Sequence, residues 1–380
     1  MVECAFIQYA IRGKTVPELT EIHSACAVSF CGVCLLVIRT FRIGDIFFAQ
    51  RLLRQAARLN PALSLTCPRP SLWRALLPTN PLDDAKTYTF LLEQQDNSVA
   101  RAGLLQAQKR AGRPEADITL LAPRLDARYG HPAIWQKLLA HFSQIAVQAG
   151  VRRVYIAAPD EPTIVQTLNN IGFRVYSRQT VWRLIGGLSE HIPKVDYGQV
   201  RLQCVGDEWG LIRLYSQSTP KAVQLAEGAH SDKQIRLPIL DSRVTHADKS
   251  YVLREKDRIT GCIQVTLGSL GAWLTLWVDT RQPAPQRIYQ LIQQGVAAIC
   301  EHDCNLPIYI GVDEYQGGIA PLLVEYGFAP FTDVVKAVKQ TVQPVYEGGR
   351  IRMPVLETLP RVASAPYHRH STHVLREHER

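Results

Sequence analysis

The sequence predicts a mixed α/β (α+β) fold that is built twice. Short apolar runs of β type alternate with helices whose apolar residues recur at i, i+3, i+4 and i+7, the spacing of a helix with one buried face. One order of these elements occurs in residues 37–185, and the same order occurs again in residues 200–345 with most of its spacing kept. Because the period of this repeat is a whole domain, we expect a duplicated domain rather than a solenoid.

Length and composition agree with two globular domains. The chain has 380 residues, of which 46% are hydrophobic, which is ordinary for a chain with a proper core. Its net charge is +9, from 43 basic and 34 acidic residues. A nucleic-acid site is typically a clustered basic patch, whereas these basic residues are spread along the chain. We therefore expect a solvated basic surface, with no nucleic acid and no membrane as partner.

The cysteines indicate a reducing compartment. Nine of them lie at irregular positions, which is not the pattern of a disulfide scaffold, so we expect a cytoplasmic protein. Cys31 and Cys34 form a C-x-x-C motif, and His23 and Cys26 lie just before it. These four side chains have ligand types that zinc accepts. No second C-x-x-C accompanies them, and we therefore expect no metal site.

The two ends of the chain lie outside the repeat. Residues 1–36 match nothing in the predicted fold, and we expect a poorly ordered or spurious extension. The charge-free run at 24–38 is too short for a membrane helix, which needs about 20 residues. Residues 346–380 are rich in Pro, Arg and His and have little periodicity, so they predict a disordered tail.

The first copy, residues 37–185, begins with a strand and a helix and continues with a hairpin that turns at Gln95–Ser98. A strand from Ala116 leads through a polar loop into a helix that Pro132 can begin, because the missing N–H of proline costs nothing in a first helical turn. Residues 174–184 alternate as paired final strands would. The predicted strands are 37–42, 87–93, 99–107, 116–122 and 154–158, and the predicted helices are 47–59, 71–77, 132–149 and 162–170.

The second copy, residues 200–345, follows a linker at 186–199. Arg201–Asp207 repeats the pattern of Arg39–Asp45, and Gly327-Phe328 ends the last helix as Gly172-Phe173 does in the first copy. A hairpin is predicted to turn at Lys256–Asp257. The strands Trp273–Asp279 and Ile308–Glu314 correspond to the two strands that begin at Ile118 and Val154 in the first copy.

The stretch from Ala116 to Phe173 can form an anion site. A strand that ends at a loop before a helix directs several backbone N–H groups at one point, where the helix dipole adds positive potential suited to a pyrophosphate. Arg124 and Arg128 would add charge there. The strand edge at Leu120–Ala122 can pair with an extended ligand that contains amides.

This order of elements resembles the GNAT (GCN5-related) N-acetyltransferase family. In that family the fourth strand pairs with the pantetheine arm of acetyl-CoA, and an Arg/Gln-x-x-Gly-x-Gly/Ala loop holds the pyrophosphate. Gly130 matches the first glycine of this loop; the basic position falls at Ala127, one place before Arg128, and the second small position falls at Pro132. The resemblance implies two tandem GNAT-like domains, each a mixed, mostly antiparallel sheet flanked by helices. It also implies that acetyl-CoA is the co-substrate, held by Leu120, Leu121, Ala122, Arg128, Tyr129, Gly130, His131 and Ala133.

The family's catalytic positions are changed in both copies. Its frequent general-acid tyrosine falls at Leu168 and Leu323, and its frequent asparagine falls at Glu161. Glu161 and Glu93 are the candidate general bases, although most Asp and Glu side chains are surface groups, and the surface interpretation outweighs the catalytic one for both. In the second copy the loop Thr280–Gln286 has no glycine and contains two prolines, which lack N–H donors. We therefore expect the second copy to bind acetyl-CoA weakly or not at all.

The resemblance implies an N-acetyltransferase that moves an acetyl group from acetyl-CoA to an amine of a small molecule or peptide. One alternative is a catalytically inactive tandem protein that binds acyl-CoA or a partner protein. Another alternative is nucleic-acid binding, which predicts an affinity that falls steeply with salt concentration.

Overall fold

The computed structural model describes residues 36–68, 86–94, 102–185, 200–229, 249–279, 284–303 and 305–341. The chain divides into two units, residues 1–342 and 343–380, and every described residue belongs to the first unit. Six of the sequence-based expectations lie outside the described residues. They concern the N-terminal extension, the C-x-x-C motif, the helix at 71–77, the Gln95–Ser98 turn, the linker and the C-terminal tail.

In the described ranges, the strands all belong to one mixed sheet, and helices cover both of its faces. The strands are β1 (Leu36–Thr40), β2 (Ala57–Arg58), β3 (Thr87–Gln94), β4 (Gly103–Lys109), β5 (Glu115–Ala122), β6 (Arg153–Pro159), β7 (Arg174–Leu184), β8 (Val200–Leu202), β9 (Lys249–Glu255), β10 (Arg258–Leu267), β11 (Ala272–Val278), β12 (Ile308–Asp313) and β13 (Ala329–Gln340). The helices are α1 (Ile46–Leu53), α2 (Pro61–Thr66), α3 (Pro132–Gln148), α4 (Pro162–Asn170), α5 (Glu208–Ser218), α6 (Lys221–Ala226), α7 (Pro285–Asp303) and α8 (Ala320–Glu325).

The two copies exchange their last strands. The order across the sheet is β1-β3-β4-β5-β6-β13-β7-β12-β11-β10-β9-β8, with β2 beside β5. Strand β13 of the second copy thus lies between β6 and β7 of the first copy, and β7 lies against β12 of the second. Each copy is therefore completed by a strand of the other, and the copies form one sheet instead of two.

The exchange has the same register on both sides. Val154 in β6 lies opposite Lys339 in β13, and the equivalent Ile308 in β12 lies opposite the equivalent Leu184 in β7. The expectation of paired strands within residues 174–184 is wrong, because these residues form the single strand β7. Alternation of apolar and polar residues predicts a strand and its two faces, but it does not predict which strand lies beside it.

Each face of the sheet has its own helices. Helices α3 and α4 pack on a core with Phe142 and Leu168, and α7 and α8 pack on the matching core with Leu291 and Leu323. The opposite face is covered by α1, α2 and α5, with Trp277 in the core under α5. None of the described helices is both long enough and apolar enough to cross a bilayer.

The predicted helix at 47–59 is wrong in its second half. Helix α1 ends at Leu53, and the chain then runs beside β5, where the Arg124 N–H donates to the Gln55 oxygen (2.7 Å). The Leu59 N–H donates to the Thr119 oxygen (2.9 Å), and the Leu59 side chain is fully buried. Pairing with a buried strand has therefore overridden the helical preference of these residues.

An arginine–aspartate pair repeats at the start of each copy. The two Nη atoms of Arg39 donate to Asp45 at 2.6 and 2.7 Å, and those of Arg201 donate to Asp207 at 2.8 and 2.6 Å. In both copies Oδ2 of the aspartate also accepts a main-chain N–H at 2.8 Å, from Arg42 or from Cys204. The sequence similarity of Arg39–Asp45 to Arg201–Asp207 thus reflects one shared local structure.

Candidate active site between the two copies

The strand edge that the sequence assigns to the cofactor is already paired. Strands β5 and β6 are parallel neighbours only from Glu115 to Asp117, after which they separate. The space beyond is filled by β2, in which Ala57 lies opposite Leu121 and Arg58 lies opposite Leu120. The edge at Leu120–Ala122 is therefore not free to pair with a ligand that contains amides. Such a ligand would have to displace β2 together with the buried Leu59 that follows it.

The polar loop after β5 also uses its own donors. The Gly130 N–H donates to the Ala127 oxygen (2.7 Å), and the Ala133 N–H donates to Nδ1 of His131 (3.1 Å), which caps α3. A Cβ on Gly130 would lie 2.1 Å from the Arg124 carbonyl oxygen, so close packing within the loop requires glycine here. Two of the amides expected to hold a pyrophosphate are thus bonded within the protein.

Of the remaining predicted site residues, Arg128 lies in this loop, whereas Glu93 and Glu161 lie in other elements. Arg128 is exposed, and its guanidinium lies 5.4 Å from the ring centroid of Tyr129. Glu93 is ion-paired with Arg39 (2.8 Å), and Glu161 is an exposed residue at the start of α4. Their roles as bases stay predictions, and neither residue lines the cavities described next.

In the second copy the corresponding gap is bridged by a side chain. Strands β11 and β12 pair from Ala272 to Leu274 and then separate. In the gap, Nε2 of Gln316 donates to the Leu276 oxygen (3.0 Å), and Oε1 of Gln316 accepts the Asp313 N–H (3.1 Å). One buried carboxamide therefore occupies the place that a strand has in the first copy, and we call this space the β11–β12 gap.

The β11–β12 gap opens into a space lined by both copies. Two adjoining cavities of about 320 Å³ each lie here, on the sheet face covered by α2 and α6, and we refer to them together as the inter-copy cavity. Residues that line both cavities include Arg110, Tyr155 and Tyr176 from the first copy, and Trp273, Thr275 and Lys336 from the second.

Most charges of the inter-copy cavity are paired. Arg110 donates to both carboxylate oxygens of Asp117 (2.7 and 2.6 Å) and to Glu115 (3.0 Å). Lys336 donates to both oxygens of Asp313 (2.7 and 3.0 Å). Lys336 lies in the exchanged strand β13, so the exchange brings this cation to the site.

Glu227 follows α6 directly and also lines the cavity. Its carboxylate accepts a hydrogen bond from the Tyr215 hydroxyl (2.5 Å). Burial raises the pKa of the Glu227 carboxyl, and the Tyr215 hydrogen bond opposes this only in part. Burial likewise raises the pKa of the hydroxyls of Tyr155, Tyr176 and Tyr315, which line the same cavity and stay protonated at neutral pH.

Glu227, Gln316 and Lys336 are not predicted from the sequence. They come from three separate parts of the second copy, and only the exchange of strands brings them beside first-copy residues. One signal was present for Gln316, because Asp313 and Gln316 have the spacing of a capping box. Within the described residues, no three His, Cys, Asp or Glu side chains are grouped so that they could hold a metal ion.

Comparisons with known proteins concern the fold. No family model matches the sequence, and no curated protein matches it. The structure is similar to a tandem GNAT protein from the clavulanic acid biosynthesis pathway, at 14% identity and a TM-score of 0.49, over 81% of this chain and 99% of that one. It is also similar to a GCN5-related N-acetyltransferase from Sphaerobacter thermophilus (13% identity, TM-score 0.48, 81% and 96% covered). A putative acetyltransferase from Pyrococcus horikoshii is similar as well (13% identity, TM-score 0.43, 82% and 91% covered).

The described residues form two tandem copies of one α/β (α+β) unit, with a mixed sheet flanked by helices as the sequence predicts, and the last strands of the copies are exchanged. This assignment depends on the repeated order of strands and on the mixed sheet with helices on both faces. At such low identities the similarities extend no further than the fold and say nothing about the chemistry of the site.

Proposed function

We propose that the chain is an N-acyltransferase that takes an acetyl group from acetyl-CoA, and that the second copy holds this co-substrate. The observation that supports this proposal is the β11–β12 gap, which one side chain bridges and which opens into a polar cavity. The equivalent space of the first copy is filled by the backbone of β2. A side chain can rotate away from a ligand, whereas displacing β2 would also expose Leu59.

The edge of β11 suits an arm that contains amides. Within a strand the N–H and C=O of one residue point to the same side, so the Leu276 N–H faces the gap together with its carbonyl. With Gln316 rotated away, both groups can pair with the amides of a pantetheine arm. A backbone N–H fixed in such a position is also a suitable donor to the oxygen of an acyl carbonyl.

Acetyl-CoA would supply the activated acetyl group, and this chain's residues would hold and orient it. Pro283 lies just before α7 in the sequence and Pro285 is the first residue of that helix, and neither proline has an N–H donor. We therefore expect pairing along β11 to contribute more of the affinity than contacts with the diphosphate. The hydroxyl of Tyr315, protonated and within the same cavity, is a candidate to give a proton to a departing thiolate.

Isothermal titration with acetyl-CoA tests which copy binds. Thr275→Trp places a large ring in the cavity beside β11, and we expect it to abolish binding, with unfolding temperature measured as the folding control. Gln316→Ala removes the bridge and should leave affinity equal or higher. The matched variant in the first copy is Arg128→Glu, which reverses an exposed charge in the predicted pyrophosphate loop.

Unchanged binding in Arg128→Glu together with lost binding in Thr275→Trp supports the second copy. The opposite pair of results would return the site to the first copy and contradict this proposal. Turnover is then measured by thiol release over a panel of amines. Binding of acetyl-CoA without turnover of any amine would favour the inactive acyl-CoA-binding alternative.

A further inference from the structure

The inter-copy cavity contains a carboxyl whose partner is a neutral group. Among the described residues, Asp117 and Glu115 are bonded to Arg110, and Asp313 is bonded to Lys336. Glu227 differs, because it accepts a hydrogen bond from the neutral hydroxyl of Tyr215. Glu227 is partly buried, and the cations that act on it, Lys336 and Arg110, are bonded to other carboxylates. Removing a carboxylate from water without a cation in contact is costly, and an arriving cation would lower that cost.

The walls around Glu227 favour an organic cation. The cavity that Glu227 lines also contains the rings of Tyr176, Trp273 and Trp277. Aromatic faces attract cations, and they also bury the apolar body of a small molecule. The same contact already occurs nearby within the protein, where the Arg110 guanidinium lies 4.4 Å from the ring centroid of Tyr155.

We propose that the inter-copy cavity is an acceptor site for a small molecule with one protonated amine and an apolar body, and that Glu227 binds the amine. This proposal rests on the proposed acyltransferase function for the use made of the bound amine. The two adjoining volumes of about 320 Å³ suit a small molecule rather than the surface of a folded protein. Both copies contribute walls, and the exchanged strands β7 and β13 supply two of the lining residues, Tyr176 and Lys336.

Glu227 would act as ion partner first and as proton acceptor second. The ammonium group donates a hydrogen bond to the carboxylate, and one proton then passes from nitrogen to a carboxylate oxygen. The products are a neutral amine and a carboxylic acid, so no charge or proton is left over. The carboxyl can accept this proton because burial favours its neutral form.

Calorimetric titration with two probes of nearly equal shape tests the proposal on the full chain. The probes are 2-phenylethylamine and the neutral 2-phenylethanol. We expect the amine to bind the wild type about tenfold or more tightly than the alcohol, as for a buried hydrogen bond between charged groups. Glu227→Gln should reduce the amine to the level of the alcohol, whereas the exposed Glu208→Gln should behave as the wild type.

Three outcomes would overturn the proposal. They are equal binding of amine and alcohol, failure of both probes to bind, and an unchanged preference for the amine in Glu227→Gln. If Glu227→Gln does not fold, titrations of the wild type at different pH values still test the proposal. The preference for the amine over the alcohol should fall as pH falls through the pKa of Glu227. A preference independent of pH would overturn the proposal too. The titratable and charged groups that face Glu227 are Tyr215, Tyr155, Tyr176, Tyr315, Arg110, Lys336 and Asp313.

Acetyl-CoA titrated against the same variants keeps the two proposals apart. Glu227→Gln should bind acetyl-CoA like the wild type, because the edge of β11 is intact. Amine binding through Glu227 without any acetyl-CoA binding would refute the proposed function and leave the cation site standing. Acetyl-CoA binding without an amine preference would refute only the cation site.

Discussion

The hydroxyl of Tyr155 donates a hydrogen bond to the main-chain oxygen of Ala226, 3.0 Å away. Tyr155 belongs to β6 of the first copy, and Ala226 is the last residue of α6 in the second copy. The bond therefore connects the two copies next to Glu227. Tyr155 of the first copy thus positions the end of α6 in the second copy, which Glu227 directly follows.

Tyr155→Phe should remove this bond and little else. We expect a loss of about 1 kcal/mol in the free energy of unfolding, the usual net value for one hydrogen bond, together with weaker binding of 2-phenylethylamine. Urea denaturation and calorimetry measure the two effects. Tyr309→Phe is the matched control at the equivalent position of β12; equal losses in both variants would show that the Tyr155 hydroxyl has no special role.

Asp207→Asn should destabilise the protein at neutral pH but not in acid. The hydrogen bond from the Arg201 guanidinium, aided by the Cys204 N–H, lowers the pKa of Asp207 from 3.8 to about 2, against the opposing effect of burial. Because the pKa is lowered on folding, the stabilisation is present above the ordinary value and is lost as pH falls towards the folded value. Unfolding midpoints of variant and wild type should therefore converge between about pH 4 and about pH 2.

Asp45→Asn tests whether the repeated pair has the same role in the first copy. Hydrogen bonds from Arg39 and from the Arg42 N–H lower the pKa of Asp45 although burial opposes them. The variant should lose stability in the same direction as Asp207→Asn. A loss in one copy only would mean that the shared geometry does not have a shared energetic effect.

Glu227→Gln should become more favourable for stability as pH rises. Burial raises the pKa of the Glu227 carboxyl above its ordinary value of 4.5. A raised pKa means that the neutral form stabilises the fold fully below the ordinary value and that this stabilisation is lost as pH rises through the folded value. Unfolding curves across this range should show the variant gaining stability relative to the wild type, and a constant difference would argue against a raised pKa at Glu227.

Gly130→Ala should lower stability without any ligand present. The added Cβ would meet the main-chain oxygens of Arg124 and Leu125 at 2.1 and 2.5 Å, and relief of such overpacking typically costs about 1–3 kcal/mol. Gly44→Ala is the control, since a Cβ there meets nothing within 4 Å. Equal unfolding free energies for the two variants would show that the loop around Gly130 adapts easily.

Cutting the linker at 186–199 should leave the two copies associated. Strand β7 stays paired with β12, and β13 stays paired with β6, whether or not the chain is continuous. With a protease site inserted there, the two fragments should elute together in size exclusion and unfold together. Fragments that separate and each remain folded would contradict the exchange.

The sequence predicts elements well where local chemistry decides them. Pro132 and the apolar spacing from Trp135 to Phe142 predict α3, and the structure has a helix from Pro132 to Gln148. The turn at Lys256–Asp257 is also confirmed, with φ angles of 44° and 65° at its two residues, as a two-residue hairpin turn requires. Each of these features depends on residues close together in the chain.

Features that depend on distant residues could not be predicted in this way. Arg174–Leu184 alternates as a strand should, but its neighbours β12 and β13 lie more than a hundred residues further along the chain. Ala57 and Arg58 look helical in sequence, and only the separation of β5 from β6 makes them a strand. Glu227 has no motif at all, because its neighbours Tyr155 and Lys336 belong to different copies.

The exchange of strands also governs how this protein can be made. A ribosome completes the first copy's own residues long before it reaches 329–340, and domains usually fold in the order in which they emerge. Here β6 lacks its native partner β13 until residues 329–340 have been made, and an exposed strand edge invites pairing with other chains. The first copy can therefore complete its part of the sheet only after the last strand of the second copy has been made.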